Sequence, residues 1–203
     1  MTRRALAKIR SANVQPGVRS GLSLLELLLV LGILVAVVGF SVPAIQDAND
    51  VRRLDEAGEE VRQALSDGRA MAIETGLVYQ FRYEPGKSQF VVVPDPSELT
   101  DTQDGSSYFR IAGQLGEGYE FRETLDSPGS GEQLDVEWFE GLENAGELAG
   151  ASWSDPVEFS FEGTAKDAFV YLLDAQQRSV RIRIRGLTGS VTVGNVSRES
   201  VGQ

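Results

Sequence analysis

Glu26 is a carboxylate four residues inside an apolar stretch and five residues after Gly21. The local sequence is Ser20-Gly21-Leu22-Ser23-Leu24-Leu25-Glu26, and from Leu27 to Phe40 no polar side chain follows. An ionised carboxylate within a membrane-length apolar segment costs roughly 3 kcal/mol even on lenient insertion scales. It becomes tolerable when an opposite charge is brought to it. Glu26 therefore either reaches back to a polar interface or meets a cation supplied by another group.

Few other residues offer chemistry. The chain has no histidine, which removes the commonest general base and metal ligand. It has no cysteine either, so disulfides, thiolate metal sites and cysteine nucleophiles are excluded. Asp101 and Asp104 lie in an acidic loop that could hold calcium, but their spacing lacks the alternating ligands of an EF-hand, so solvated loop acids are expected. Trp138 and Trp153 suit either a core or a partner surface and are left unassigned. The expectation is a protein with no catalytic residue, no cofactor and no metal.

The charge is divided unevenly. Residues 1–21 carry Arg3, Arg4, Lys8, Arg10 and Arg19 and no acid, leaving 14 basic and 30 acidic residues, net −16, in residues 22–203. A body that acidic repels phosphates, and its basic residues look scattered, so nucleic-acid binding is not expected. Leu22 to Ile45 would make a helix of about 36 Å, enough to cross a bilayer core. The leader cations place the near side in the cytoplasm, with Asp47 and Asp50 and the rest of the chain beyond the membrane. An ordinary secretory signal would need a small-x-small cleavage site. The stretch Val38-Gly39-Phe40-Ser41-Val42-Pro43-Ala44 offers only poor ones, and Glu26 would sit inside its core.

The basic leader, Gly21, the apolar run and Glu26 together resemble the processing signal of type IV prepilins and type II secretion pseudopilins. The resemblance implies cleavage after Gly21 by a prepilin peptidase/methyltransferase and N-methylation of Leu22. It also implies pairing of Glu26 with the amine of a neighbouring subunit, and a proline-bent helix at Pro43. Leu22 departs from the phenylalanine or methionine usual at that position. The partners implied are other pseudopilins or pilins, packed through their N-terminal helices, and an inner-membrane assembly platform.

Beyond Pro43, apolar or small residues recur on one helical face at Val51, Leu54, Gly58, Val61, Leu65, Gly68 and Ala72, suited to packing on a sheet. The two glycines on that face suit close approach of the sheet. Thr75-Gly76 supplies a stop. Strands are predicted at residues 78–83, 89–93, 109–112, 119–122, 136–139, 157–161, 169–173, 180–184 and 190–193, joined by short turns that favour antiparallel pairing. Arg69-Ala70-Met71-Ala72-Ile73 before Gly76, then Phe159-Ser160-Phe161-Glu162-Gly163-Thr164-Ala165 and Thr188-Gly189-Ser190-Val191, resemble the H-type minor pseudopilins and FimT-like minor pilins. Those residues are expected to serve turns and pairing, and Arg69 to be a solvated or helix-terminal cation.

The expected architecture is α+β: a long N-terminal helix, half membrane-spanning and half amphipathic, packed on an antiparallel pilin-like head. The expected segments are a leader (1–21), an assembly helix (22–45), an amphipathic helix (46–76), a β-rich head (77–194) and a tail (195–203). The expected location is the inner membrane, single-pass, with the head in the periplasm, and then a filament. A rival reading is a single-pass membrane protein with a ligand-binding or sensor head that never polymerises.

Overall fold

The computed structural model describes residues 23–98, 108–122 and 131–198, with the side chains of 38–48 left out. It divides into two units, residues 1–45 and 46–203. Helix α1 (Leu24–Thr75) runs through both. It ends where Gly76 takes φ +75°, with the Gly76 amide donating to Ala72 O at 3.0 Å, as the Thr75-Gly76 stop requires. In the first unit no large apolar side chain from Leu24 to Val37 is buried.

Among its described residues the second unit carries nine strands in two antiparallel sheets: β1 (Tyr79–Tyr83), β2 (Gln89–Pro94), β3 (Ile111–Gln114), β4 (Tyr119–Phe121), β5 (Val157–Phe159), β6 (Ala168–Asp174), β7 (Arg178–Arg185), β8 (Ser190–Val193) and β9 (Ser197–Arg198). The first sheet has the order β3-β2-β1-β5, and the second β4-β6-β7-β8 with β9 also on β7. The fold class is therefore α+β, with a helix followed by antiparallel sheet. At the β1–β2 turn, Gly86 N donates to Phe121 O and Phe121 N to Lys87 O, both at 2.8 Å, which ties the first hairpin to β4 of the second sheet.

Both sheets turn one face to the same core. Strand periodicity puts Tyr79, Phe81, Tyr83, Phe90, Val92 and Phe159 of the first sheet there. Phe121, Val170, Leu172, Val180, Ile182 and Ile184 come from the second. Leu54, Ala57, Val61, Ala64, Leu65 and Ala72 complete it from α1, while the first member of the predicted stripe, Val51, is exposed. The stripe glycines act as contact points. A Cβ on Gly58 would lie 3.2 Å from Val193 Cγ1, and one on Gly68 only 2.8 Å from Val92 Cγ1.

Residues 136–139, predicted as a strand, instead form a 3-10 turn (Val136–Phe139) that leads into a short helix, α2 (Ala145–Ala149). The reason lies on the outer face of the first sheet. Val91 and Val93 point away from the main core and need a cover, so Leu134, Phe139, Leu148 and Trp153 fold over them as a second core. Phe139 buries inward and Val136 is left exposed, a pattern that no sheet face imposes. The β2 run Phe90-Val91-Val92-Val93 is apolar on both faces because both are covered.

Gly68 gives the sharpest test of this packing. Gly68→Val should destabilise the fold by about 1–3 kcal/mol, because the added atoms overlap Val92 and helix and sheet must separate. Urea unfolding followed by circular dichroism measures it, and an unchanged midpoint would contradict the contact.

Candidate assembly site

Gly21 and Leu22 lie outside the described residues, which begin at Ser23. Ser23 starts the helix: its Oγ accepts the Glu26 amide at 3.2 Å, and its carbonyl accepts Leu27 N at 3.1 Å. Ser23-Leu24-Leu25-Glu26 thus has the S-x-x-E form of a helix N-terminus, and an acid in the first turn opposes the positive end of the helix dipole. This local role of Glu26 was readable from the spacing and was missed beside the longer-range one. The carboxylate itself is exposed. Behind it, Leu24, Leu25, Leu27, Leu28 and Leu29 are exposed by 79, 73, 60, 59 and 56%, so the apolar surface runs around the helix rather than along one stripe. Among the described residues no helix is long and apolar enough to cross a membrane, and the described side chains stop at Val37 within the expected 22–45 span.

The two motifs quoted from the end of α1 and from the C-terminal third meet in space. Arg69 is half-buried and its Nε donates to Gly163 O at 2.8 Å, across 94 residues. That corrects the expectation of a solvated or helix-terminal cation. Gly163 has φ +76°, in a turn closed by Ser160 N to Thr164 O at 2.9 Å. Gly189 has φ +58°, and a Cβ there would lie 2.3 Å from Gly163 O and 2.6 Å from Arg69 Nε. Ala165 N donates to Gly186 O at 2.8 Å, and Gly186 N to Asp167 Oδ1 at 2.8 Å. The guanidinium thus clasps the turn before β6 to the helix, and the turn after β7 packs closely on both. The expected service in turns is what these residues perform.

Other polar groups are buried for structural reasons. Arg82 on β1 faces the outer side of the first sheet beneath the cover, 4% exposed. It donates to Gln80 Oε1 at 3.0 Å and Ser154 O at 3.2 Å, pairs with Glu132 at 2.7 Å, and lies over the Trp138 ring. Trp153 is fully buried, its Nε1 donating to Leu148 O at 3.0 Å, so it is core, while Trp138 is half-buried as the lid on Arg82. At the β6–β7 hairpin, Asp174 Oδ2 accepts Arg178 Nε at 2.6 Å, and Arg178 Nη2 reaches Asp50 on α1 at 3.5 Å. A shallow groove along α1 is lined by Arg53, Glu56, Glu60, Glu117 and Tyr119. Burial pushes the Tyr119 hydroxyl above its ordinary range, with Arg53 opposing.

Asp101 and Asp104 lie outside the described residues, and among those described no three acids converge on a metal position. One grouping escaped the sequence reading. Arg181, Arg183 and Arg185 are not scattered: Arg178-Ser179-Val180-Arg181-Ile182-Arg183-Ile184-Arg185 alternates with the period of a strand, and β7 turns the last three arginines to one exposed face.

No family model matches the chain, and no curated protein does. One solved structure that does is the minor pseudopilin EpsH from the type 2 secretion system of Vibrio cholerae. It is 12% identical, with a TM-score of 0.44 over 70% of this chain and 97% of that one.

The clasp predicts coupling between its members. Arg69→Met should cost about 1–3 kcal/mol, since it leaves a half-buried carbonyl without its donor. Gly189→Ala should cost at least as much, being strained at positive φ and overlapping both Gly163 O and Arg69. In a double-mutant cycle read by urea unfolding the losses should be less than additive. Simple additivity would show that Arg69 and Gly189 act independently.

Proposed function

We propose that the chain is a non-catalytic filament subunit of the minor pseudopilin or minor pilin kind. It is cut after Gly21 by a prepilin peptidase, N-methylated at Leu22, and assembled through its N-terminal helix. The observation that carries this reading is the junction of two features. A Gly21–Glu26 processing spacing opens a helix whose leucines stay exposed all round. Surface of that kind has to be covered by lipid before assembly and by other helices after it. In this reading residues 1–21 are the cytoplasmic leader and 22–45 the inner-membrane and assembly segment. Residues 46–76 and 77–194 form the periplasmic head, with 195–203 as its tail. The architecture is then pilin-like, and the partners are other pseudopilins or pilins and the inner-membrane platform that assembles them.

The start of α1 supports the mechanism chemically. Ser23 caps the helix through the Glu26 amide, so the Glu26 carboxylate is not needed for that bond. After cleavage the new amine of Leu22 would stand one residue before the cap. In a filament, a carboxylate in the first turn of one subunit and the amine of another exchange a charge-assisted hydrogen bond in a medium of low dielectric, where it is strongest. Hydrophobic packing of helices drives association and the ion pair sets their register.

Processing is read by intact mass of the membrane-extracted protein. The mature chain should begin at N-methyl-Leu22, and Gly21→Val should leave the leader in place. An intact leader in the unaltered protein, or a start near Ala44, would overturn the assignment.

Assembly is tested separately by Glu26→Leu. The variant should insert into membranes at least as well as the parent, keep normal abundance and be cut normally, because removing a buried charge eases insertion. Its incorporation into sheared filaments, or crosslinking to partner pilins, should fall sharply, and Glu26→Asp should restore only part. Incorporation equal to that of the parent would show that Glu26 merely reaches the interface.

A further inference from the structure

The head is electrically divided. From Glu123 to Ala165 the chain carries eleven carboxylates and no basic residue, whereas from Lys166 to Arg198 it carries six basic residues and two acids. The fold lays the cover, within the first segment, over the outer face of the first sheet and turns alternate residues of β7, within the second, to the outer face of the second sheet. The cover on the first sheet exposes Asp135, Glu137, Glu143 and Glu147, none of which has an ion pair among the described residues. The outer face of the second sheet exposes Arg181, Arg183 and Arg185, likewise without ion pairs among the described residues.

The arginine face is built rather than loose. Phe169 stands opposite Arg183 in the register and Tyr171 opposite Arg181, while Thr192 flanks Arg183 on the other side. The guanidinium carbons of Arg181 and Arg183 lie 5.5 and 5.9 Å from the Phe169 ring centroid. Stacking on an aromatic face restricts a guanidinium while leaving its N–H edges free for planar, two-pronged binding of carboxylates. Among the outward-facing residues of β4, β6, β7 and β8, the one acid is Glu120.

We propose that this arginine–aromatic face docks the acidic cover of a second copy of the same chain. The chemistry required of the occupant is a protein surface of clustered, exposed carboxylates, and the cover, whose own segment from Gly131 to Ser154 contains no basic residue, displays one. Both copies carry net negative charge, so the attraction between the two faces is local and acts at contact rather than at long range. Because the two faces differ, the contact is heterologous: each copy donates one face and accepts with the other, so the association does not close at a dimer by symmetry. It involves the heads alone and stands apart from assembly through the N-terminal helix.

The absence of cysteine makes the test direct. Full-length Thr192→Cys and Glu143→Cys proteins are mixed in detergent and treated with a short bifunctional thiol reagent. Mixed Thr192–Glu143 dimers should form, with little product from either protein alone. Arg181→Glu with Arg183→Glu in the Thr192→Cys protein should lower the yield about tenfold, through like-charge apposition. Adding Glu137→Arg and Glu147→Arg to the other partner should restore it. Raising the salt from about 0.1 to 1 M, which cuts the screening length from roughly 10 to 3 Å, should weaken crosslinking of the otherwise unaltered pair and needs no charge-reversed variant to fold. Yields indifferent to charge reversal and salt would overturn the proposal, as would a dominance of like–like products. So would arginine variants that lose retention on immobilised heparin or duplex DNA while crosslinking is unchanged.

Discussion

One helical face holds the second unit together. From Leu54 to Ala72, α1 presents small and aliphatic side chains alternately, and the inner side chains of both sheets bury against it as well as against each other, as Phe121 does on Tyr83. The small residues matter as much as the large ones. Gly58 admits Val180 and Val193 of the second sheet, and Gly68 admits Val92 of the first, so one helix reaches two sheets at van der Waals distance. A larger residue at either point would hold a whole sheet away, and each inner side chain would lose contacts that are individually small and collectively large.

The polar features follow from that arrangement. Once two sheets share a core, their connecting turns crowd at the end of the helix, and backbone carbonyls there lose water. Arg69 donates to one of them, Gly163 O, and Gly189 lets the second turn pack closely against both that carbonyl and the guanidinium. On the outer side of the first sheet, Gln80 and Arg82 would be ordinary exposed strand residues if the segment from Gly131 to Ser154 did not close over them. Closure turns them into a buried network, in which Arg82 keeps Glu132 as a counter-ion and Gln80 and Ser154 as hydrogen-bond partners.

Local signals carried much of this in the sequence. The helix stripe, the Thr75-Gly76 stop and the positions of β1, β2, β6, β7 and β8 were legible because each is written in neighbouring residues. The cover was not. Val136-Glu137-Trp138-Phe139 has strand-like composition, and its true role depends on Val91 and Val93, some 45 residues away, requiring a lid. Arg69 failed for a similar reason, since its partner carbonyl is 94 residues off. Ser23 and Arg181-x-Arg183-x-Arg185 were different: their spacing was in plain view, and a stronger neighbouring signal or a count of net charge drew attention from them. Gly21 and Leu22 remain readings of sequence alone.

The packing of Gly58 against Val193 also sets a schedule for biosynthesis. The two residues are separated by about 135 positions, which at 5–20 residues per second take roughly 7 to 27 seconds to translate. Throughout that interval the apolar stripe of the helix exists without the strands that will cover it. The second sheet cannot shield it early, because β7 and β8 lie near the end of the chain, and β2 of the first sheet covers only the Gly68 half. The nascent protein therefore presents a long amphipathic helix to its surroundings before it presents a fold. Whatever receives the chain, a translocation machinery or a chaperone, must hold that helix apart from other chains until the final hairpin arrives.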